Sequence, residues 1–308
     1  MTKKAKTIAV LMGGWSAERD VSLASGAAVA NALTQSGCRV QRIDVTRDMR
    51  ALLDQLDPKP DVVFNALHGR FGEDGGIQGL LEGLGLPYTH SGVLASAIAM
   101  DKPMTRRLFA EAGIPHPDGG VFPCKAVQAA HPMEPPYVLK PLNEGSSVGV
   151  RLVLAKADAP GCGPDWAFGK DVLVERYIPG REICVAVMGD AALGAIEIRP
   201  REGFYDYAAK YTEDRAEHAM PAPIAPEAYE EALQLGLRAH CALGCKGVTR
   251  ADLRYDDSHG EPGKFYVLEV NTQPGLTTLS LVPEIAAHAG IAFPELVTWM
   301  VEDAQCES

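Results

Sequence analysis

The sequence predicts a mixed α/β and α+β protein, with an N-terminal domain on a parallel sheet followed by short, largely antiparallel strands. Three observations predict it. From Thr7 to Leu84, short apolar runs alternate with helical patterns punctuated by glycine. Near Ser91-Gly92 that alternation gives way to brief β runs and polar turns. Towards the C-terminus, polar residues recur at a spacing of two inside apolar strands. The 308 residues are 46% hydrophobic and 22% charged, enough for two or three domains with a substantial core and too apolar for a disordered chain. A net charge of -11 argues against broad binding of nucleic acid or anionic membranes. No apolar run approaches the ~20 residues that span a bilayer, and Ile8 to Met12 is too short for a signal sequence, so a cytoplasmic protein is expected. Seven scattered cysteines, an odd number, read as free thiols, with Cys241 and Cys245 too isolated to make a metal site.

Thr7 to Leu11 reads as a first strand ending in Gly13-Gly14, with a helix from about Ser16 to Ser36 stopped by Gly37. Val40 to Val45 and Asp61 to Leu67 read as further strands, and Ile77 to Leu84 as a helix stopped by Gly85. In such a sheet ligands sit beyond the carboxyl ends of the strands, where Gly13 to Arg19 and His68-Gly69-Arg70 fall. Asp101 to Ala112 is a helix with Asp101 as its N-cap and Gly113 past its end. Tyr137 to Lys140, Gly149 to Leu154 and Val172 to Glu175 are short strands; Ile183 to Met188 and Leu193 to Ile198 form a hairpin around Gly189-Asp190. Pro226 to Leu243 is a helix, and Val248 to Tyr255 pairs antiparallel with Lys264 to Val270. The expected units are residues 1–95, 96–182 and 183–308.

Arg250 and Asp252 are two apart and share a strand face, as do Glu269 and Asn271 on the partner strand. Two carboxylates and an amide oxygen suit a hard cation such as Mg²⁺, although an exposed polar face would show the same spacing. In Lys140 to Gly149 a lysine ends a strand and a loop of small residues follows, a pattern that can wrap phosphates or simply make a hairpin loop; it is neither a Walker A nor a kinase glycine loop. After Glu175, exposed backbone could pair with an adenine edge and Glu182 could hold ribose hydroxyls, or the segment could be only a hinge. Phe204 to Thr212 reads as a lid or an aromatic surface loop. Glu18 suits a helix N-terminus and could meet an ammonium group; His68 could contact a ligand.

Together these segments resemble the D-alanine–D-alanine ligase family of ATP-grasp enzymes. The matching stretches begin at Gly13, Ala66, Gly72 and Met100, and include Lys140 to Gly149, Phe204 to Tyr211 and Leu268 to Thr277, in the family's order over nearly the whole chain. The resemblance implies an N-terminal α/β domain followed by a two-domain ATP-grasp that clamps ATP. It implies Lys102 and Lys140 on the phosphates, Glu175, Arg176 and Ile178 at the adenine, Glu182 on the ribose and Lys210 at the γ-phosphate. Asp252, Glu269 and Asn271 would hold two Mg²⁺ (or Mn²⁺). Glu18, with His68 nearby, would take the first D-alanine's ammonium, and Ser146 and Tyr211 would join Glu18 in a network closing the lid. Arg250 and the Gly275 amide would stabilise an oxyanion, and Ser280 and Leu281 would receive the second carboxylate.

The implied reaction joins two D-alanines through an acyl phosphate for peptidoglycan synthesis, in a homodimer. Alternatives are another ATP-grasp ligase, such as the D-alanine–D-lactate type, or a non-catalytic nucleotide-binding protein; Tyr211 favours the dipeptide product. Three features depart from the pattern: Arg176 where lysine is common, Trp15 beside Ser16, and the broken stretch Ala157 to Lys170, where the central domain's usual helix is expected to be truncated or lost.

Overall fold

In the computed structural model, residues 5–163, 166–200 and 216–306 are described. The N-terminal sheet is parallel, with β1 (Thr7–Gly13) between β2 (Arg39–Val45) and β3 (Val62–Asn65). β1 is buried on both faces, as a central parallel strand must be. Its even-numbered residues Ile8, Val10 and Met12 meet Val29, Ala30 and Leu33 of α1 (Arg19–Gln35). Its odd-numbered residues Ala9 and Leu11 meet Leu52 of α2 (Met49–Gln55) and Ile77 and Leu81 of α3 (Gly76–Leu84). The first helix starts later than the sequence predicts, because residues 14–18 form the loop that carries Glu18.

Two helices, α4 (Val93–Met100) and α5 (Lys102–Glu111), lead out of this domain. Asp101 caps α5 by accepting from the Met104 N–H at 2.9 Å, as its sequence position predicts. The central sheet has the order β4–β7–β5–β6, with β4 Gly119–Pro123, β5 Tyr137–Lys140, β6 Arg151–Val153 and β7 Asp171–Arg176, all neighbours antiparallel, and α6 (Cys124–Ala129) beside it. β6 starts two residues later than predicted. Ser146, Ser147 and Gly149 all have positive φ and hold the preceding chain as a curled loop; a Cβ on Gly149 would strike the Phe168 ring. The described residues between β6 and β7 contain no helix, as expected from the broken sequence there.

The C-terminal sheet has the order β10–β9–β8–β11–β12: β8 Arg181–Met188, β9 Ala191–Pro200, β10 Ala216–Ala219, β11 Val248–Asp256 and β12 Lys264–Asn271. One face packs on α7 (Pro226–Ala242), where Ala232, Leu235 and Ala239 meet Val185, Leu253 and Val267. Two further helices, α8 (Leu281–His288) and α9 (Phe293–Asp303), join Ile8 and Val10 of the first sheet and Ala186 and Ile196 of the third in one hydrophobic core. Gln305 bridges to Tyr88 beside β3. The last helices therefore weld the N-terminal unit to the C-terminal one, so the expected unit 183–308 shares its core with 1–95. No helix among the described residues is long and apolar enough to cross a membrane.

Candidate active site

β11 and β12 pair with Arg250 opposite Asn271 and Asp252 opposite Glu269, the juxtaposition that the two-residue spacing predicts. All four side chains line one cleft. A β-bulge brings this about. Leu253 pairs with Val267, so Leu268 is the extra residue. Before it, Phe265 and Val267 face α7; after it, Val270 does. Without the extra residue, Glu269 would follow Val267 into the core. Leu268 itself lines the adjoining pocket between the central and C-terminal sheets.

Arg250 grips Asp252 through two bonds, Nε to Oδ1 at 2.6 Å and Nη2 to Oδ2 at 2.8 Å. The expected oxyanion donor and the expected cation ligand are thus bonded to each other. A carboxylate offers about four lone-pair sites, so the bidentate pairing with Arg250 does not by itself preclude metal binding. The Cys184 thiol, directly opposite on β8, also donates to Asp252 Oδ1 at 3.1 Å. Burial, and then the Asp252 charge, push that thiol's pKa well up, so it stays protonated as a donor. Glu269 Oε2 lies 3.5 Å from Lys102 Nζ, which also donates to the Glu144 carbonyl at 2.5 Å. Among the described residues no three His, Cys, Asp or Glu side chains converge as a metal cage. The donor set of two carboxylates and the Asn271 oxygen, all oxygen, fits a hard cation that keeps phosphate or water oxygens as its remaining ligands.

Glu18 closes the other wall of the same cleft. It stands at the N-terminus of α1, largely buried, and accepts a short hydrogen bond from the Ser146 hydroxyl. That bond ties the first helix to the curled loop after β5. Ser16 Oγ accepts from the Glu18 N–H at 3.1 Å and donates to the His68 carbonyl at 2.7 Å, placing His68 beside it. The buried His68 ring bonds Glu73 through Nδ1 at 3.0 Å and Ser25 through Nε2 at 3.2 Å. Burial lowers its pKa, but the Glu73 bond and charge and the Glu18 charge outweigh burial and leave it raised.

The adjoining pocket is walled by Lys102, Lys140, Ser147, Glu182, Arg254 and Leu268. Glu175 does not reach it. Its buried carboxylate sits between Arg106 at 2.5 Å and Lys140 at 2.6 Å. Burial would raise its pKa, yet the two cations hold it below the ordinary carboxylate range. Arg176 lies over the Tyr266 ring at 5.3 Å, and Ile178 is buried. The Arg176 and Tyr177 N–H groups bond the Asp118 and Pro136 carbonyls. The side chains of Glu175 and Ile178 thus point into the protein, leaving any base contact from this segment to the remaining main-chain groups. Arg254, missed in the sequence although it continues the spacing Arg250–Asp252–Arg254, donates to the Gly180 carbonyl at 2.7 Å and the Ile178 carbonyl at 3.2 Å and lies 3.7 Å from Glu182.

Gly275, Ser280 and Leu281 also line the main cleft. Ser280 is the N-cap residue of α8, and its hydroxyl accepts from the Thr277 N–H at 2.9 Å. The N-terminus of α8 therefore points its partial positive charge at the cleft. Lys210 and Tyr211 lie outside the described residues.

Family models match on both sides of this cleft: the D-ala D-ala ligase N-terminus over residues 49–91 and the D-ala D-ala ligase C-terminus over 121–302. The chain belongs to the D-alanine–D-alanine ligase family. The D-alanine–D-alanine ligase of Paramagnetospirillum magneticum is 58% identical over 305 residues, 98% of this chain and 99% of that one. D-alanine–D-alanine ligase B of Mesorhizobium japonicum is 55% identical, with the same coverage. Among solved structures, the Bacillus anthracis family member complexed with ATP matches with TM-score 0.79 and 30% identity over 98% of this chain and 97% of that one. The VanG D-Ala:D-Ser ligase of Enterococcus faecalis matches at 0.80, also with 30% identity, over 97% of this chain and 99% of that one. Family members that differ in the second substrate share this fold.

Proposed function

We propose that this protein is an ATP-dependent ligase that joins two D-alanines into D-alanyl-D-alanine for peptidoglycan synthesis, in the cytoplasm and as a homodimer. The observation that supports it most is one cleft lined at once by Glu18, Arg250, Asp252, Glu269, Asn271 and Ser280. Glu18 is the anionic partner for the first substrate's ammonium, with His68 beside it. ATP lies in the adjoining pocket, its phosphates against Lys102, Lys140 and the 146–149 loop and its ribose at Glu182. Asp252, Glu269 and Asn271 hold two Mg²⁺ or Mn²⁺, which supply charge neutralisation at the terminal phosphates.

The first carboxylate attacks the γ-phosphorus, releasing ADP and leaving an acyl phosphate. The second D-alanine, its carboxylate held at the N-terminus of α8 by Ser280 and Leu281, attacks that carbonyl through its amine. Arg250 turns towards the developing oxyanion, with the Gly275 N–H as second donor, and phosphate leaves. The Ser146–Glu18 bond helps keep the cleft closed and water away from the acyl phosphate. ADP release is measured with D-alanine alone, with D-alanine plus D-lactate, and with neither. D-alanine alone is expected to stimulate it, and no stimulation would reject the reading.

A further inference from the structure

A buried amide joins the two halves of the cleft. Gln273 lies two residues beyond Asn271 and is 1% exposed. Its backbone N–H donates to Asn271 Oδ1 at 2.8 Å, orienting that side chain's oxygen. Its side chain crosses to the N-terminal domain: Oε1 accepts from Asn65 Nδ2 at 2.7 Å, and Nε2 donates to the Leu67 carbonyl, immediately before His68. Asn65 is fully buried at the end of β3. Its Nδ2 also donates to the Gly72 carbonyl at 2.9 Å, and its Oδ1 accepts from the Leu67 N–H at 3.2 Å, so it is a rigid anchor. Next door, Ser25 Oγ bonds the His68 ring and accepts from the Leu276 N–H at 3.2 Å, a second stitch between the same segments.

Resting on the ligase reading above, we propose that Gln273 is a positioning residue. With Asn65 as its fixed partner, it sets the distance between the first D-alanine subsite beside His68 and the Asn271 end of the metal-bearing strand. The carboxylate and the γ-phosphorus must meet within about 3–3.5 Å, and a 1 Å misplacement costs up to roughly a hundredfold in rate. A single amide that bonds both segments is well suited to hold that spacing. Its role does not require it to touch a substrate.

The test uses the full-length enzyme and initial velocities across D-alanine concentrations, which separate the two D-alanine constants, together with ATP and Mg²⁺ titrations. Gln273→Met keeps the side-chain length and removes both hydrogen bonds. It is expected to lower kcat roughly tenfold and to weaken the first D-alanine constant and the half-saturating Mg²⁺ concentration by a similar factor, leaving KM for ATP within about twofold. Gln273→Asn, which keeps the amide but shortens its reach, is expected to shift the same two constants and serves if the methionine variant does not fold. Asn65→Leu combined with Gln273→Met should cost less than the sum of the two single changes, since both break the Asn65–Gln273 bond. A Gln273→Met enzyme that loses melting temperature while all constants stay within twofold, or additive losses in the double variant, overturns the proposal. Failure of the ligase reading itself looks different: the unmodified protein would then release no ADP in response to D-alanine.

Discussion

Two carboxylates at strand ends meet opposite fates. Glu269, near the end of β12, faces the cleft with Lys102 at 3.5 Å. Glu175, near the end of β7, is shut inside the protein between Arg106 and Lys140. In the sequence Glu175 reads as an acid closing an apolar strand, and Glu269 as an acid sharing a strand face with Asn271. The difference lies in what each strand packs on. A one-residue bulge turns Glu269 away from the α7 core, while β7 runs between β4 and β5, and Lys140 and Arg106 close over its acid. One acid lines the cleft; the other holds Lys140 in place. The same residue type thus lines the cleft in one region and anchors a lysine in the other.

The comparison breaks most sharply at Glu269. Glu269→Gln is expected to lower kcat by about a thousandfold, from weakened cation binding and transition-state charge stabilisation, with an unchanged melting curve because the residue is partly exposed. Near-normal turnover would remove Glu269 from the metal site. Glu175→Gln should do the reverse. It strands two cations beside a neutral amide and is expected to cost about 3–5 kcal/mol in denaturant unfolding. It should also raise KM for ATP as Lys140 loses its anchor, with a smaller effect on kcat once ATP is saturating. Leu268→Ala tests the bulge residue: losing its apolar contact, about 1–2 kcal/mol, should raise KM for ATP several-fold at nearly constant kcat. Unchanged KM would take Leu268 out of the nucleotide pocket.

The smallest effect concerns groups buried without a charged partner. Burial lowers the pKa of His90 and of His240 to about 4. Unlike Glu175, each is kept neutral rather than charged. Between pH 6.5 and about 4 the unfolded chain binds protons that the folded one does not, so stability falls as pH falls through that window and is complete above 6.5. At pH 5.5 the loss is about 1.4 kcal/mol per histidine. Replacing His240 with Gln should flatten the acid limb of a melting-temperature profile, and an unaltered slope would show that His240 does not contribute.

Much of this site was legible in the sequence because it is local. The two-residue spacing of Arg250 and Asp252, and of Glu269 and Asn271, follows from the pleat, and the hairpin turn brings the two strands together. The glycines after β1 and the N-cap at Asp101 likewise declared themselves from their immediate neighbours. Arg254 was legible too, since it extends the same spacing, but its partners, the carbonyls of Ile178 and Gly180, lie more than 70 residues away.

What the chain alone determined, then, is element type, the shared face of residues two apart and the chemical character of the cleft, all set by residues within a few positions of one another. What only the tertiary structure decided is orientation across distance. The bulge at Leu268, the inward turn of Glu175, the wedge of α8 and α9 between two sheets and the Asn65–Gln273 link each depend on which surfaces meet. Burying apolar area and pairing every buried polar group are conditions on the whole molecule, and pattern within a short window carries no record of its distant partners.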